Sequence, residues 1–249
     1  LVVVSLIAFW EVLSPRRFLS VSKPFRWVNN WLDSALNSLL LFLLFPVMAV
    51  GVALRAAEHP WGLFNVLALP QSVAILLFVL LFDLAIYWQH RLFHVVPWLW
   101  RLHRVHHADP DFDVSTGIRF HPVSIVLSML IKMGVVLLLG PPAVAVLLAE
   151  ILLNVTSMFN HGNMAIPPRV DAVLRLILVT PDMHRVHHSC EQDETNSNFG
   201  FNFPWWDRLF GSYRAQPRKG HLGMEIGIRG LQDIEQQRLD RLLLQPLKR

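Results

Sequence analysis

Eight histidines in this sequence sit in three short clusters whose spacing suits metal ligation. His90 and His94 form an H-x-x-x-H pair. His103, His106 and His107 lie in His103-Arg104-Val105-His106-His107. His184, His187 and His188 lie in the identical pentapeptide, 81 residues further along. Separations of three and four residues put side chains on one helical face, so each cluster can aim two or three imidazoles at one point. A single H-x-x-x-H pair is weak, but core packing gives no reason to place titratable rings repeatedly at these spacings. The clusters are internal and spaced, which excludes a purification tag. Zinc in a structural site takes four ligands, so eight imidazoles are enough for two ions. The clusters contain no carboxylate, unlike the Glu-x-x-His pairs of soluble di-iron bundles. Imidazole suits Fe, Zn, Cu and Ni, and neutral ligands leave the full cation charge in the site. Such a centre points to redox or Lewis-acid work on an oxygen species. Cys190, the one cysteine, excludes a disulfide framework and a cysteine-ligated zinc or iron–sulfur site.

The elements that must position these rings are apolar. Of the 249 residues, 53% are hydrophobic and 16% charged, with mean hydropathy +0.42. Soluble domains carry about a quarter charged residues. A soluble globular enzyme and a disordered chain are both excluded on these grounds. Four apolar blocks are candidate spans: Leu36–Leu54, Val66–Trp88, Val123–Leu139 and Ala143–Phe159. The last two read as a hairpin that enters and returns to one face, turned by Gly140-Pro141-Pro142. Lys132 and Glu150 lie inside it, where ionisable groups usually face the protein interior or snorkel. Leu1–Trp10 is about half a span in length and has no basic n-region, so it is read as the end of a truncated span, with residues missing before Leu1. If the chain alternates sides, every Lys and Arg of the 22 except Arg55 and Lys132 falls on the side that bears the histidines. The positive-inside rule makes that side cytoplasmic. The pI near 9.7 is then a topological signal, with attraction to anionic headgroups a secondary effect. The basic residues form no dense patch, so nucleic acid is not an expected partner.

The three histidine boxes on a membrane frame resemble the fatty acid hydroxylase superfamily, also called the sterol desaturase family. The resemblance runs from about Asp83 to Tyr213. It includes Arg119-Phe120-His121-Pro122, Phe159-Asn160-His161-Gly162-Asn163 and Trp206-Asp207-Arg208-Leu209-Phe210-Gly211-Ser212-Tyr213. It implies an integral-membrane di-iron oxygenase that uses O2 to hydroxylate or desaturate a lipid C–H bond. It implies as metal ligands His90, His94, His103, His106, His107, His184, His187 and His188, with His161 as a further one. Some relatives carry another histidine four residues before His161. Here that position is Ser157, which leaves one ligand of the pattern unmatched or supplied elsewhere, with His121 a candidate.

Around the boxes, Asp83 lies two turns before His90 and is a candidate to orient it; Tyr87 and the asparagines Asn160, Asn163, Asn198 and Asn202 are candidates for similar supporting roles. Arg104 and Arg185, paired by the repeat, are candidates to hold headgroups or to face Asp109 and Asp182, with a solvated face the preferred reading; His59 and His221 read as ordinary residues, and Cys190 as a small buried residue. Trp98, Trp100, Trp205 and Trp206 read as interfacial anchors. Leu231–Leu244 reads as an amphipathic helix. The expectation is an all-α protein: a multi-span transmembrane bundle with a cytoplasmic histidine-rich cap, a single domain over 1–249 with a cytoplasmic tail over 214–249. Two Fe ions are expected, with Zn as a substitute. No dinucleotide fingerprint or fused haem domain is visible, so the electron donor is external, a reductase with a ferredoxin or b-type cytochrome. The expected lipid is fatty acyl, sterol or ether lipid; the alternative is a non-redox zinc- or lipid-binding membrane protein. A transporter would hold its ligands near the bilayer midplane, and a zinc hydrolase would want a glutamate beside its histidines.

Overall fold

Proline starts most of the helices that matter. Its fixed φ suits the first helical turn, and its missing N–H costs nothing there. In the computed structural model, which describes residues 2–248, proline occupies the first turn of α2 (Lys23–Leu44), α6 (Pro97–His107), α7 (Pro122–Leu139), α9 (Pro168–Leu174) and α10 (Pro181–His187). The other early helices are α1 (Val2–Leu13), α3 (Met48–Glu58), the single turn α4 (Leu63–Val66), α5 (Gln71–Val95) and α8 (Ala143–Asn160). Among the described residues there is no strand, only isolated bridges at Pro15–Met164 and Ser189–Ile226. The fold is all-helical, as expected.

Four stretches are long and apolar enough to cross a membrane: 23–66, Gln71–Val95, Pro122–Leu139 and Ala143–Asn160. Their outer faces carry large exposed apolar side chains such as Leu43, Leu76 and Leu138, the inverse of a soluble surface. The chain is therefore an integral-membrane bundle. Its interior is built from small residues and rings: Ala49, Ala53, Ala145 and Ala149 pack around Phe78 and Phe82. Alanine lets helices approach closely where lipid removes the usual hydrophobic drive.

Three expected boundaries move. Leu36–Leu54 is not one helix. Pro46 disfavours helical geometry at Phe45, so α2 ends at Leu44 and α3 starts at Met48. The second block begins in α4 and a loop, and its helix starts only after Pro70 but then runs on through His94. The tail over 231–244 is not a continuous amphipathic helix. It is a 3₁₀ turn at Ile234–Gln237 and a short helix at Leu239–Leu244, split by extended Arg238. The hairpin turn stands as expected. Gly140 has φ 61°, and a Cβ there would sit 2.1 Å from the Trp61 carbonyl oxygen, so only glycine fits. α1 forms within Val2–Leu13; Leu1, and the reading that the chain is truncated there, lie outside the described residues.

The cap beyond the spans is made of α6, α9, α10, α11 (Gln192–Thr195), α12 (Trp205–Leu209), α13 (Gly220–Gly223) and α14 (Leu239–Leu244).

Candidate metal centre

Four short structural devices deliver the histidines. His90 and His94 occupy the last two turns of α5, where it emerges from its apolar stretch. Val96, held extended before Pro97, breaks the helix and turns α6 back so that its last turn presents His103, His106 and His107. α8 ends at Asn160 with His161 as its C-terminal cap residue. Thr180 caps α10, accepting from the Met183 N–H at 3.4 Å, and α10 carries the third cluster.

These nine rings converge into two buried groups. His90, His94, His103, His107 and His187 form one; His106, His161, His184 and His188 form the other. Within each group the candidate nitrogens lie within 4.8 Å of one another. The two identical pentapeptides are used in opposite ways. The outer pair His103/His107 joins the five-histidine group and His106 crosses to the other. The outer pair His184/His188 joins the four-histidine group and His187 crosses back.

Backbone carbonyls fix how the rings are turned. Nδ1 of His90 donates to the Phe199 carbonyl at 2.8 Å, and Nδ1 of His187 to Ser197 at 2.7 Å. Nδ1 of His106 donates to Arg119 at 3.1 Å, and Nδ1 of His161 to Ser157 at 2.6 Å. A neutral imidazole has one N–H, so Nε2 of each of these rings carries a lone pair. Those lone pairs face one another. His187 Nε2 is 3.0 Å from His90 Nε2, and His161 Nε2 is 3.1 Å from His106 Nε2. Two acceptors at that distance repel unless a cation lies between them. Nitrogens about 2.1 Å from one ion and at right angles to each other lie about 3.0 Å apart. His188 agrees: among the described residues both nitrogens of this buried ring lack any hydrogen-bond partner, which would cost about 1–3 kcal/mol per orphaned group. The residues present therefore fit metal ions, and the two groups could hold one each.

Burial, and then the neighbouring rings, push the imidazoles of His103, His107, His184, His187 and His188 well below their ordinary pKa. His106 is lowered in the same way. Burial takes His161 down to about 4. The rings are thus neutral at physiological pH, as ligation requires.

A buried charge network holds the loop after the second box. Arg26 donates to Asp109 at 2.6 Å and to Asp113 at 2.8 Å. Burial raises the Asp109 carboxyl, but the Arg26 guanidinium overrides this and keeps it below its usual range. Arg119 donates to the Val105 carbonyl at 2.8 Å, so the residue whose carbonyl holds His106 is itself tied to the box. The turn at Thr116–Ile118 closes on α8 through Gly117, where a Cβ would lie 3.2 Å from His161 Nδ1. Phe120 stacks on His106 with centroids 4.4 Å apart.

The other sequence candidates are placed as follows. Asp83 is buried but does not touch His90. It accepts from the Asn202 N–H at 3.1 Å, Phe203 N–H at 3.3 Å and Trp206 Nε1 at 2.8 Å, and so anchors the segment that carries the Phe199 carbonyl. Tyr87 bonds Ser212 at 2.9 Å and stacks on Phe210, away from the rings. Asn160 donates to the Phe201 carbonyl at 3.1 Å. His121 joins neither group: its Nδ1 accepts from the Val123 N–H and its Nε2 donates to the Leu243 carbonyl, both at 3.2 Å. The arginines are not a solvated face. Arg185 is fully buried against Asp182, and Arg104 reaches the Gln245 and Lys248 carbonyls. Trp206 serves as a donor to Asp83, and Trp100 packs 4.8 Å from His94. His221 is buried beside Asp182. Cys190 is half-buried and donates to the Gly227 carbonyl, 3.1 Å away.

Sequence reasoning missed Asp207. It accepts from the Phe199 N–H at 2.7 Å and the Gly200 N–H at 2.8 Å, holding the peptide that orients His90. Burial raises its carboxyl to about 6. Asn198, a candidate from the sequence, sits at φ 51° and donates to the Met183 and Arg214 carbonyls.

A cavity of about 250 Å³ lies among α2, α5, α7 and α8 and reaches His90 and His103. A second, of about 380 Å³, reaches His94 and His107 between Trp100, Asn196 and the Gly227–Arg229 loop.

Compared with known proteins, residues 75–212 match the fatty acid hydroxylase family. The ornithine lipid hydroxylase of Rhizobium tropici is 30% identical over 161 residues, covering 65% of this chain and 47% of that protein. The alkylglycerol monooxygenase of Danio rerio is 30% identical over 210 residues, 83% of this chain and 46% of its own. Human lathosterol oxidase is 29% identical over 157 residues, 63% and 48%. The chain thus spans about half the length of these relatives. No solved structure matches.

Proposed function

Since the chain belongs to the fatty acid hydroxylase family, we propose that it is an O2-dependent oxidoreductase of membrane lipids, hydroxylating or desaturating one C–H bond at a pair of histidine-held irons. The observation that carries this reading is the facing of Nε2 lone pairs across two buried groups of five and four imidazoles. The relatives named as hydroxylase, monooxygenase and sterol oxidase act on ornithine lipid, alkylglycerol and lathosterol, which supports a lipid substrate: fatty acyl, sterol or ether lipid.

His90, His94, His103, His107 and His187 would hold one ion, and His106, His161, His184 and His188 the other. When bound, the metal pair supplies the redox chemistry that spends O2, two electrons and two protons to make an alcohol and water. This chain's residues do the rest. The carbonyls of Phe199, Ser197, Arg119 and Ser157 keep Nδ1 protonated and Nε2 available. The cavity walls of Ile86, Phe93 and Phe201 exclude water from the C–H bond and align it beside His90 and His103. The histidines need not move protons. Zinc would occupy the same rings without redox chemistry.

The two electrons would come from a separate reductase with a ferredoxin or b-type cytochrome. The excess of Lys and Arg on the histidine side supports a cytoplasmic centre, which is where such a donor would dock. The chain acts as a single domain over 1–249, its tail over 214–249 part of the cytoplasmic cap.

The test is metal content after anaerobic purification in mild detergent, beside a His106→Ala/His187→Ala double variant. About two irons per chain, lost in the variant, is expected from two closed imidazole groups. Absence of metal from the parent protein would sink the reading.

A further inference from the structure

α2 is apolar outside and polar inside. Its exposed residues include Val28, Leu32, Leu39 and Leu43, while its buried residues are Arg26, Asn30, Asp33 and Asn37. Their spacing puts these four on one helical face. That face meets the loop that leaves the second box. Arg26 holds Asp109 and Asp113, and Asn30 donates to Ser115 Oγ at 3.0 Å. Asn37 donates to the Phe120 carbonyl at 2.7 Å. Asp33 is fully buried, and its Oδ2 accepts from the Phe120 N–H at 3.0 Å.

The Phe120 N–H and the Arg119 carbonyl are two ends of one peptide group. The carbonyl end accepts from His106 Nδ1 at 3.1 Å. Hydrogen bonds therefore run from the Asp33 carboxylate, through one peptide, to a ring of the four-histidine group. The five-histidine group has the same device. His90 Nδ1 donates to the Phe199 carbonyl at 2.8 Å, and the N–H of that peptide, on Gly200, donates to Asp207 Oδ2 at 2.8 Å. A Cβ at Gly200 would lie 2.6 Å from Asp207 Oδ2, so glycine lets the carboxylate approach. The two other peptides that accept from a ring end differently. Behind His187, the Asn198 N–H donates to the Ser212 carbonyl at 2.8 Å. Behind His161, the peptide lies within α8.

A carboxylate at the N–H end polarises the peptide and makes its carbonyl a stronger acceptor. The imidazole N–H is drawn further toward that oxygen, and Nε2 becomes a better donor to a cation. We propose that Asp33 is a positioning residue of the metal centre, paired with Asp207: each backs one histidine through one peptide, and each serves one ion. Asp33 lies outside residues 75–212, the stretch that matches the family, so α2 supplies part of the centre's support. The inference rests on the metal-binding reading above and adds which ion each carboxylate governs.

The test reads zinc release from the loaded full-length protein into EDTA, in detergent. Two phases are expected from the parent, the slower from the enclosed four-histidine group. Asp33→Asn keeps an oxygen for the Phe120 N–H but replaces the carboxylate with a neutral amide. It should speed the slower phase about ten-fold and leave the faster one unchanged. Asp207→Asn should do the reverse. Asn30→Ala cuts α2 from the same loop without touching either peptide, so it should lower the unfolding temperature and move neither phase. An unchanged slower phase in Asp33→Asn would overturn the inference. So would an equal acceleration in Asn30→Ala, which would make the polar face a structural strap.

Amide hydrogen exchange in the parent protein decides the matter if Asp33→Asn does not fold. Exchange at Phe120 and Gly200 should slow about ten-fold or more on zinc loading. Asn202 is the control: its N–H also donates to a carboxylate, that of Asp83, but the carbonyl of its peptide, on Phe201, accepts from Asn160 and not from a ring. Equal slowing at all three amides would overturn the inference. A parent protein that holds no metal would sink the oxygenase reading and this inference with it, whereas two ions whose phases move together in Asp33→Asn would sink this inference alone.

Discussion

The two histidine groups are built from the same pentapeptide, yet they are exposed to different surroundings. The five-histidine group lies between two cavities, with His90 and His103 on the span side and His94 and His107 on the other. The four-histidine group has no ring in either cavity; only Ser157, one turn before His161, reaches the wall. Its members His161, His184 and His188 are completely buried. The difference comes from the fifth ring. α5 supplies two histidines one turn apart, whereas α8 supplies His161 with Ser157 a turn earlier. On the proposed reading the five-histidine group is then the reacting side, and the enclosed four-histidine group would have no spare ligand.

That inequality can be broken most directly by removing one ring from each side. His184→Ala leaves three imidazoles in the enclosed group and should release its ion. His94→Ala leaves four in the other and should keep it. Mass spectrometric metal analysis should give about two ions per chain for the parent, about one for His184→Ala and about two for His94→Ala. Equal losses in both variants would remove the distinction between the groups.

Acid should unfold the metal-free protein before the loaded one. His161, at about 4, and the rings of the second and third boxes, well below their ordinary value, stay neutral in the fold. In the unfolded chain they titrate near 6.5. A folded value below the unfolded one means that stability is fully present above about pH 6.5 and is lost as pH falls toward about 4. Thermal unfolding of the metal-free protein between pH 7 and 4 should show that loss. Bound ions compete with protons for the same nitrogens, so the loaded protein should hold its stability to lower pH. Identical pH profiles would argue against ligation by these rings.

Much of this architecture was legible beforehand, for identifiable reasons. Spans are long apolar runs, and boxes are spacings of three and four, so both survive in a linear string. The start of α5 after Pro70 and the break at Phe45 are set by prolines, whose effect a hydropathy profile does not register. The sorting of rings into groups was not legible, because helical periodicity gives a shared face but not which of two points each ring approaches. The carbonyls of Phe199 and Ser197 carry no side-chain signature at all. Arg26 and Asp109 are 83 residues apart, and neither has a local pattern that announces the other. Spacing puts Asp83 on the helix of His90, but helical spacing alone does not show that its carboxylate turns toward Trp206 instead of His90.

A sharper version of the comparison uses the support of one group only. Asp207 holds the peptide whose carbonyl orients His90, whereas among the described residues nothing comparable reaches His188, whose nitrogens have no partner there. Asp207→Asn loses an acceptor for one of the two N–H groups, so His90 should be less well held. The five-histidine ion should exchange about ten-fold faster into a chelator, with the enclosed ion unaffected. Two-phase release kinetics check this: only the faster phase should move. A change in both phases would mean that Asp207 supports the cap as a whole.

The smallest effect should come from the far side of α6, and it shows where the centre ends. Arg104 lies between His103 and His106 in sequence, but its guanidinium faces away from them, onto the Gln245 and Lys248 carbonyls at 2.5 and 2.6 Å. It thus ties the C-terminal turn to the box helix without approaching an ion. Hydrogen bonds to a charged donor contribute about 1.5–3 kcal/mol, less here because the group is partly exposed. Arg104→Gln should lower the unfolding temperature by a few degrees, on the order of 2–4 °C per kcal/mol for a chain of this size. Its metal content should be unchanged. A loss of metal in this variant would show that the tail braces the box, and would extend the centre's supporting structure to the last turn of the chain.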